Sequence, residues 1–500
     1  MNFIASITIA FFVGISSILL LKNEKLIAKI SEAVSLVVGV FVSWQALPVL
    51  FSKMEVWNNS IILMDKFSAL MVFLVIFVYV AATFVSVRYI LHEYYEKVIR
   101  IKDVKIYFAL LHAFAFCMIF TVIANNSLLL WIALEGTTLT STFLVGLYRR
   151  KNSVEAAWKY IIICSTGISL GLIGILLLSY GLHGKSAEGM NVFMLTELFK
   201  NAALVQSDIL RLAFVFIFVG FGAKVGFAPL HTWLPDAHGN APSPISAMFS
   251  GVLLNVALYV IIRFKFITDI GLGSANWSSK LFLFFGILSI VVPAFMMLIQ
   301  NNYKRMLAYS SVEHMGIISL AISLSPLGAI ASVVHMIGHT LTKSALFFGA
   351  GEILLGNGTT KTKKIHNLAK YFPYTAILFL VSILMIIAIP PSALFVSEYA
   401  IFTSALGKHS VISIFILIAL SIIAFSMLKS TMMMFSRNEE VADGEIEIIK
   451  TKEKWNITHS VMVLQLLLVI VFGVWVSSKN GFEFIDSIAK NAVYISINDK

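Results

Sequence analysis

Long apolar runs recur along the whole chain and are separated by short polar stretches. Each run is about 20 residues or longer, enough for an α-helix to cross the hydrocarbon core of a bilayer. The runs are continuous and do not alternate with a period of two, which excludes a transmembrane β-barrel. The pattern predicts about fourteen transmembrane helices, near 3–21, 28–51, 67–91, 105–125, 127–148, 158–181, 209–230, 244–266, 279–300, 304–324, 328–355, 374–404, 411–435 and 459–477.

Composition supports an all-α integral membrane protein. Apolar residues make up 59% of the 500 residues and charged residues 13%, whereas a soluble domain has about 25% charged residues. We therefore expect residues 1–500 to form a single polytopic membrane domain. The first run has no basic segment before it and no small-residue cleavage site after it, so we expect a retained helix, not a signal peptide.

The net charge of +11 mainly reports topology. Lys and Arg concentrate in the odd-numbered loops, for example at Lys97, Arg100, Lys102 and 149–151. The positive-inside rule then places the odd loops in the cytoplasm and both termini outside. Since no soluble module carries a basic and aromatic patch, we expect a lipid bilayer and protein subunits as partners, and no nucleic acid.

Two predicted helices are interrupted by proline. The seventh reads GFGAKVGFAPLHTWLPDAH over 220–238, and the twelfth reads IAIPPSALFVSEY over 387–399. Irregular backbone at membrane depth is tolerated only where it faces protein or water. Because five helices separate the breaks, we predict two inverted five-helix repeats, helices 4–8 over 105–266 and helices 9–13 over 279–435. Two unrelated proline kinks are the alternative.

A few ionisable residues lie inside the apolar runs, where they are costly and therefore candidates for function. The candidate proton relay consists of Glu135, Lys224, His335, His339, Lys343 and Glu398. A carboxylate and an ammonium in a low dielectric restore each other's charge when they approach, so moving one changes the proton affinity of the other. Histidine titrates near neutral pH. The set therefore predicts lateral proton transfer through the membrane.

Structural roles remain open for several of these residues. Glu135 could form a static salt bridge, and His335 and His339 could be neutral core histidines. His231 and Asp236 are possible relay residues, or could satisfy backbone groups freed at the helix break, as could His238. His112 and His314 are weaker candidates. The histidine pair has no adjacent carboxylate or cysteine ligand, so we expect no metal site.

Four motifs together resemble the antiporter-like membrane subunits of respiratory complex I, membrane-bound hydrogenases and cation/proton antiporters. They are WIALEGTTLTSTFLVGLYR, GAKVGFAPLHTWLPDAHGNAPSPISAMFSG, NNYKRMLAYSSVEHMG and HMIGHTLTKSALFFGAGEI. Within this family, LEGTTLTSTFLV and SVEAAWKYIIICS are most similar to component F of hydrogenase-4 complexes. The resemblance implies that Glu135 and Lys224 are partners, that His335, His339 and Lys343 continue the relay, and that Glu398 ends it.

One position departs from the family pattern. Asn255 stands where complex I subunits usually carry a bridging lysine on the eighth helix. Asparagine can hold a water molecule but takes no charge, so the junction between the two repeats is water-mediated, uses another residue, or couples weakly.

The resemblance implies a proton-translocating membrane subunit of a multi-subunit redox complex of the hydrogenase-4 or NADH dehydrogenase type. Its partners would be other membrane subunits and a peripheral redox module, in a bacterial or archaeal inner membrane. We expect no cofactor in this chain and no catalytic residue of its own, because Cys117 and Cys164 lie in apolar runs without ligand spacing. The alternatives are a Na⁺(cation)/proton antiporter subunit without a redox partner and an inert membrane scaffold.

Overall fold

A computed structural model of the chain describes residues 3–51, 57–58, 61–183, 191–407, 410–436 and 453–490. Residues 1–2 and 491–500, at the two chain ends, lie outside the described residues. The side of the membrane on which each terminus lies therefore remains a prediction. Twenty α-helices account for most of the described chain. A small antiparallel ribbon pairs β1 (Trp57–Asn58) with β2 (Leu63–Met64).

The helices in the first half of the chain cover the first predicted repeat and the segments before it. They are α1 Phe3–Leu20, α2 Glu24–Phe51, α3 Lys66–Tyr95, α4 Ile101–Ile123, α5 Ser127–Val145, α6 Lys151–Leu182, α7 Leu195–Asn201, α8 Ser207–Val225, α9 Trp233–Asn240, α10 Ser243–Met248 and α11 Leu254–Leu272.

The second half continues with helices of similar length. They are α12 Asn276–Leu298, α13 Tyr303–Leu324, α14 Pro326–Asn357, α15 Leu368–Tyr371, α16 Pro373–Ile386, α17 Ala393–Leu406, α18 Ser410–Phe435, α19 Ile457–Val476 and α20 Lys479–Ala489. The sequence did not predict the short helices α7, α15 and α20.

The helices confirm an all-α membrane protein. Among the described residues, 11 helical segments are long and apolar enough to cross a membrane, with α8–α9 and α10–α11 each taken as one segment. Shorter apolar helices cover Ile7–Leu20, Pro373–Ile386 and Ala393–Leu406. Every apolar run of the sequence contains a helix or a broken pair, but the number of fourteen spans and the two repeats remain predictions.

Both proline-containing segments interrupt their helices. The chain between α8 and α9 turns at Gly226, whose φ of 82° is left-handed and suits glycine. The chain between α16 and α17 turns through Ala388 and the Pro390–Pro391 pair. Proline lacks the backbone N–H that would continue a helix, so each break leaves carbonyl groups for other donors.

A third irregularity joins α10 to α11. Residues Phe249–Leu253 form a π-helical turn, in which the hydrogen bonds span five residues instead of four. The wider turn leaves the Gly251 carbonyl accessible, and the Thr340 hydroxyl of α14 donates to it at 2.8 Å. The turn therefore holds α11 against α14 at mid-length.

The most buried helices lie at the centre of the bundle. All of the most apolar window within Ser243–Leu272 is buried, and 89% of that within Tyr303–Leu324, against 33% for Ser410–Phe435. The α14 side chains from Gly328 to Ile353 are also buried. Helices α11, α13 and α14 thus form the interior, and α14 carries three of the six relay candidates, His335, His339 and Lys343.

Candidate functional site

The six predicted relay residues occupy four helices. Lys224 lies in the last turn of α8 and is completely buried, as are His335, His339 and Lys343 on α14. Glu135 on α5 and Glu398 on α17 are only partly buried. The basic members of the set are therefore the interior ones, and the carboxylates lie nearer the surface.

Lys224 binds hydroxyl groups and does not contact Glu135 directly. Its Nζ donates to Tyr160 OH at 2.5 Å and to Thr138 Oγ1 at 2.9 Å, and it lies 4.6 Å from the Tyr160 ring centroid. In the part of the chain that the structure describes, no carboxylate oxygen lies within 4.0 Å of this ammonium. The resemblance implies that Lys224 and Glu135 are partners, and any exchange between them requires an intervening group.

Glu135 has a different neighbour. Its Oε1 accepts a hydrogen bond of 2.6 Å from the Ser165 hydroxyl of α6, and its buried Oε2 has no partner among the described residues. A buried carboxylate oxygen needs a hydrogen-bond partner, and water is the simplest one. We therefore expect water between Glu135 and the hydroxyl pair that holds Lys224.

The helix break explains the position of Lys224. Helix α8 ends one residue later, so the ammonium lies at the negative end of the helix dipole. The Trp233 indole, which follows the break, donates to the Ala223 carbonyl at 2.8 Å and so satisfies a group freed by the helix end. The same break that stops the helix therefore provides a favourable site for a buried cation.

A second cluster joins α13, α14 and α17. His335 Nε2 and His314 Nδ1 lie 2.9 Å apart, and His335 Nδ1 lies 2.9 Å from the Ser397 hydroxyl. Donor atoms of His314, His335 and Glu398 all lie within 4.8 Å of one another. The structure thus brings His335 and Glu398 together, through His314, which the sequence ranked below the other candidates.

His339 extends this cluster along α14. Its ring centroid lies 5.2 Å from that of His314, and neither of its ring nitrogens has a partner among the described residues. One helical turn further, Lys343 Nζ donates to Ser310 Oγ at 2.7 Å and to the Leu307 carbonyl at 2.9 Å. The i, i+4, i+8 spacing of the three residues therefore puts them on one face, as predicted.

Glu313 is a buried acid that the sequence reasoning missed. Its side chain is 3% exposed, its Oε2 lies 3.5 Å from His314 Nε2, and it interacts electrostatically with Lys343. The signal was present in SSVEHMG, a carboxylate in the middle of an apolar run. In the predicted repeats α13 is the counterpart of α5, so Glu313 and Glu135 would occupy equivalent helices.

Asn255 connects α11 directly to α14. Its Nδ2 donates to Thr340 Oγ1 at 2.9 Å, whereas its buried Oδ1 has no partner within the described ranges. This oxygen can accept from a water molecule. The arrangement favours a water-mediated junction at the position where the family usually carries lysine.

The two remaining candidates differ in their surroundings. Asp236 accepts ion pairs from Arg305 at 3.0 Å and Lys159 at 3.1 Å, which favours the structural interpretation. His231 lies in the 3₁₀ turn between α8 and α9, and its buried Nδ1 has no partner in the described chain. The structure leaves both roles open for His231.

A small cavity lies beside Glu398. It has a volume of about 30 Å³, room for a water molecule or two, and is lined by Ile317, Leu320, Ile401, Phe402, Ala405, Ser413, Ile416 and Leu420. His314, His335 and Glu398 also have the spacing of a metal-binding group. Since the two rings already share a hydrogen bond, a metal ion would have to displace that bond.

Comparison with known proteins identifies the family. The model described as "NADH:quinone oxidoreductase/Mrp antiporter, TM" matches residues 124–424. The chain belongs to this family. A hydrogenase-4 component F homolog from Methylacidiphilum infernorum is 36% identical over 356 residues, covering 71% of this chain and 75% of the relative. The family expected from the motifs is thereby confirmed.

Two solved structures of antiporter-like complexes have the same fold. The membrane-bound sulfane sulfur reductase, an archaeal respiratory membrane complex, contains a chain with a TM-score of 0.84 at 23% identity, covering 98% of this chain and 97% of that one. A chain of the Mrp complex from Dietzia sp. has a TM-score of 0.81 at 19% identity, covering 99% and 98%. All six relay candidates fall inside the range that matches the NADH:quinone oxidoreductase/Mrp antiporter family.

Proposed function

We propose that this chain is the proton-translocating membrane subunit of a multi-subunit redox complex of the hydrogenase-4 type. The observation that carries the proposal is the close grouping of Glu398, His335, His314 and His339 in the bundle. Atoms of the first three lie within 4.8 Å of one another, and the His339 ring centroid lies 5.2 Å from that of His314. Ionisable groups at such depth are expensive to insert. Groups this close, with water between them, are what proton transfer needs.

Each half of the candidate proton relay supplies one step of proton transfer. In the second half, the His314–His335 hydrogen bond can pass a proton between rings, and Ser397 holds the far nitrogen of His335. In the first half, Lys224 is separated from Glu135 by Tyr160, Thr138 and Ser165. Hydration of that gap would raise the proton affinity of the lysine and couple it to the carboxylate.

The electrons would come from a partner. The sequence carries no redox motif, and the similar proteins belong to respiratory complexes whose names include hydrogenase-4 and sulfane sulfur reductase. We therefore propose other membrane subunits and a peripheral redox module as partners. The bacterial or archaeal inner membrane fits this role, with the odd-numbered loops in the cytoplasm and both termini outside.

The fold of the Mrp complex favours one alternative, a cation/proton antiporter subunit without a redox partner. The two functions differ in what drives transport. The redox proposal requires proton movement when the purified complex receives electrons in sealed vesicles, whereas the alternative requires Na⁺-dependent proton exchange in the absence of electron transfer.

Substitutions in the complex test the proposal directly. We expect Glu135→Gln or Lys224→Ala to abolish electron-driven proton transport into vesicles, with the subunit composition of the complex unchanged. The matched control is Glu197→Gln, a carboxylate on α7 whose partners among the described residues are Lys200 and Asn201 of the same helix. Normal proton transport in both relay variants would overturn the proposal.

A further inference from the structure

A second cluster of ionisable residues lies where α3 ends and α13 begins, and it contains none of the six residues of the candidate proton relay. Glu93 near the end of α3 and Lys304 in the first turn of α13 are both buried, with exposures of 8% and 1%. The matched family range begins at residue 124, so Glu93 precedes it. Neither residue has a part in the relay described above.

Tyrosine hydroxyls surround the Glu93 carboxylate, and Tyr148 is the closest donor among the described residues. Tyr148, just after α5, bonds both carboxylate oxygens, at 2.7 Å and 2.9 Å, and its hydroxyl lies 3.4 Å from that of Tyr89. The carboxylate also interacts electrostatically with Lys304 and with the exposed Arg150, which belongs to a predicted cytoplasmic loop. The acid therefore lies just beneath the basic surface that the positive-inside rule assigns to the cytoplasm.

Lys304 faces inward from the same end. Its Nζ donates to the Ala241 carbonyl at 2.7 Å, between α9 and α10, and the described chain has no carboxylate oxygen within 4.0 Å of it. The ammonium nevertheless interacts electrostatically with Glu93. A buried ammonium with one carbonyl partner can still donate to further acceptors.

A buried polar group without a partner lies between this pair and the centre of the bundle. His238 is fully buried, and its Nε2 has no hydrogen-bond partner among the described residues. It lies three residues before Ala241, whose carbonyl accepts from Lys304, and its ring centroid lies 5.5 Å from that of Phe347, one helical turn after Lys343. Buried polar groups of this kind are satisfied by internal water, so we expect water to link Lys304, His238 and Lys343.

Helix packing keeps this cluster tight. Gly351 of α14 has no side chain at the point where α14 approaches α10 and α3, and a Cβ there would lie 2.9 Å from Ser243 Cβ and 3.5 Å from Tyr89. The absence of a side chain at Gly351 therefore brings Ser243 and Tyr89 close to α14, which carries Lys343.

We propose that Glu93 and Lys304 form a proton-uptake site on the cytoplasmic side, which Tyr148 holds in place and which delivers protons through His238 to Lys343. In each transfer a proton leaves a protonated donor for a neutral or anionic acceptor, so no other reactant is needed. The inference rests on the proposed function, since it names where the transported protons enter.

The test uses the intact complex in sealed vesicles, with electron transfer and proton transport measured together. We expect Glu93→Gln to lower the protons moved per electron by roughly tenfold or more, with normal subunit composition, and Glu93→Asp to restore most of the transport. If Glu93→Gln prevents assembly, Tyr148→Phe provides the second variant, with an expected loss of roughly threefold, because it removes the donor that bonds both carboxylate oxygens without changing charge.

The control is Glu352→Gln on α14. Glu352 is a buried carboxylate near the end of α14. It pairs with Arg88 at 3.1 Å and Asn456 at 3.3 Å, and neither partner belongs to the proposed uptake route. We expect this variant to transport normally. Equal losses in Glu93→Gln and Glu352→Gln, or normal transport in Glu93→Gln and Tyr148→Phe, would overturn the uptake site. If Glu135→Gln still abolishes transport, the proposed function stands on its own.

Discussion

His314 and His335 share a hydrogen bond of 2.9 Å between Nδ1 and Nε2, deep between α13 and α14. Only one of these two nitrogens can carry the shared proton at a time. The pair therefore has two states of nearly equal chemistry, and the state with the proton on His335 leaves it one bond from Ser397 and close to Glu398. Under the proposed function, this exchange would pass the proton between α13 and α14.

Replacement of His314 tests that step. We expect His314→Phe to lower proton transport by roughly tenfold or more, because phenylalanine fills a similar volume but cannot carry a proton. The control is His112→Phe, another fully buried histidine, whose Nδ1 lies 2.6 Å from Tyr79 OH, away from the axis. Similar losses in the two variants would mean that the effect comes from packing.

Tyr160 should set how readily Lys224 carries charge. Tyr160→Phe leaves the buried ammonium with Thr138 as its one remaining hydroxyl partner, so the charged form becomes less favourable by about 1.5 kcal/mol or more. We expect roughly tenfold slower proton transport, measured with a pH-sensitive dye inside vesicles. Transport at the normal rate would show that water replaces the phenol without loss.

The part of the site that the sequence predicts depends on the kind of residue. Lys224, Lys343 and the breaks beside Pro229 and Pro391 were predictable, because charge and proline in apolar runs are rare and costly. The partners of Lys224 were not predictable, since Tyr160 and Thr138 come from separate helices whose relative rotation depends on packing. Glu313 was missed because it lies beside His314 in NNYKRMLAYSSVEHMG, a motif that contributed only to the family resemblance.

The close packing of α8 against α6 predicts that a larger residue at Gly220 lowers stability. Gly220 of α8 faces α6 so closely that a Cβ would lie 2.6 Å from the Gly167 carbonyl oxygen. We expect Gly220→Ala to separate the helices and cost about 1–3 kcal/mol, seen as a lower unfolding temperature in detergent. Gly407→Ala is the control, because its nearest neighbour would be 4.0 Å away.

An ion pair between the buried Arg263 and the partly exposed Asp65 links the start of α3 to α11. Arg263 Nη2 donates to Asp65 Oδ1 at 2.5 Å and to Ser68 at 2.8 Å. Burial raises the pKa of the Asp65 carboxyl, but the charge and hydrogen bonds of Arg263 outweigh burial and hold the pKa below its ordinary value. The pair therefore stabilises the fold above the ordinary carboxyl pKa, and this stabilisation is lost as the pH falls through the lowered value.

Arg263→Leu should expose this dependence. It removes the charged partner of Asp65, which keeps its hydrogen bond from the Ser68 N–H and is partly exposed, so we expect a loss of about 1–3 kcal/mol at neutral pH. The loss should shrink on acidification, because Asp65 then folds in its neutral form. Unfolding of the purified protein at several pH values measures it, and Arg263→Leu with Asp65→Asn should recover most of the stability. A loss independent of pH would contradict this account.

The predicted orientation can be checked by thiol labelling in intact cells. We expect Lys102→Cys, at an exposed position in an odd loop, to react with an impermeant maleimide only after the membrane is opened. Ser274→Cys, exposed in an even loop, should react without opening. Cys164 is buried and Cys117 largely so, which keeps the background low. The reverse pattern would invert the topology.

The π-helical turn at Phe249–Leu253 gives the chain a place inside a buried helix where one residue can be deleted without a change of register. It holds one residue more than an α-helical turn of about the same rise, so removing one residue there would restore regular geometry and leave the later positions of α11 facing as they do now. A deletion after Asn255 would instead rotate every later position by about 100° about the helix axis. One missing codon there would turn Arg263 away from Asp65, whereas one missing codon in the π-helical turn would leave Asn255 against Thr340 and Arg263 against Asp65.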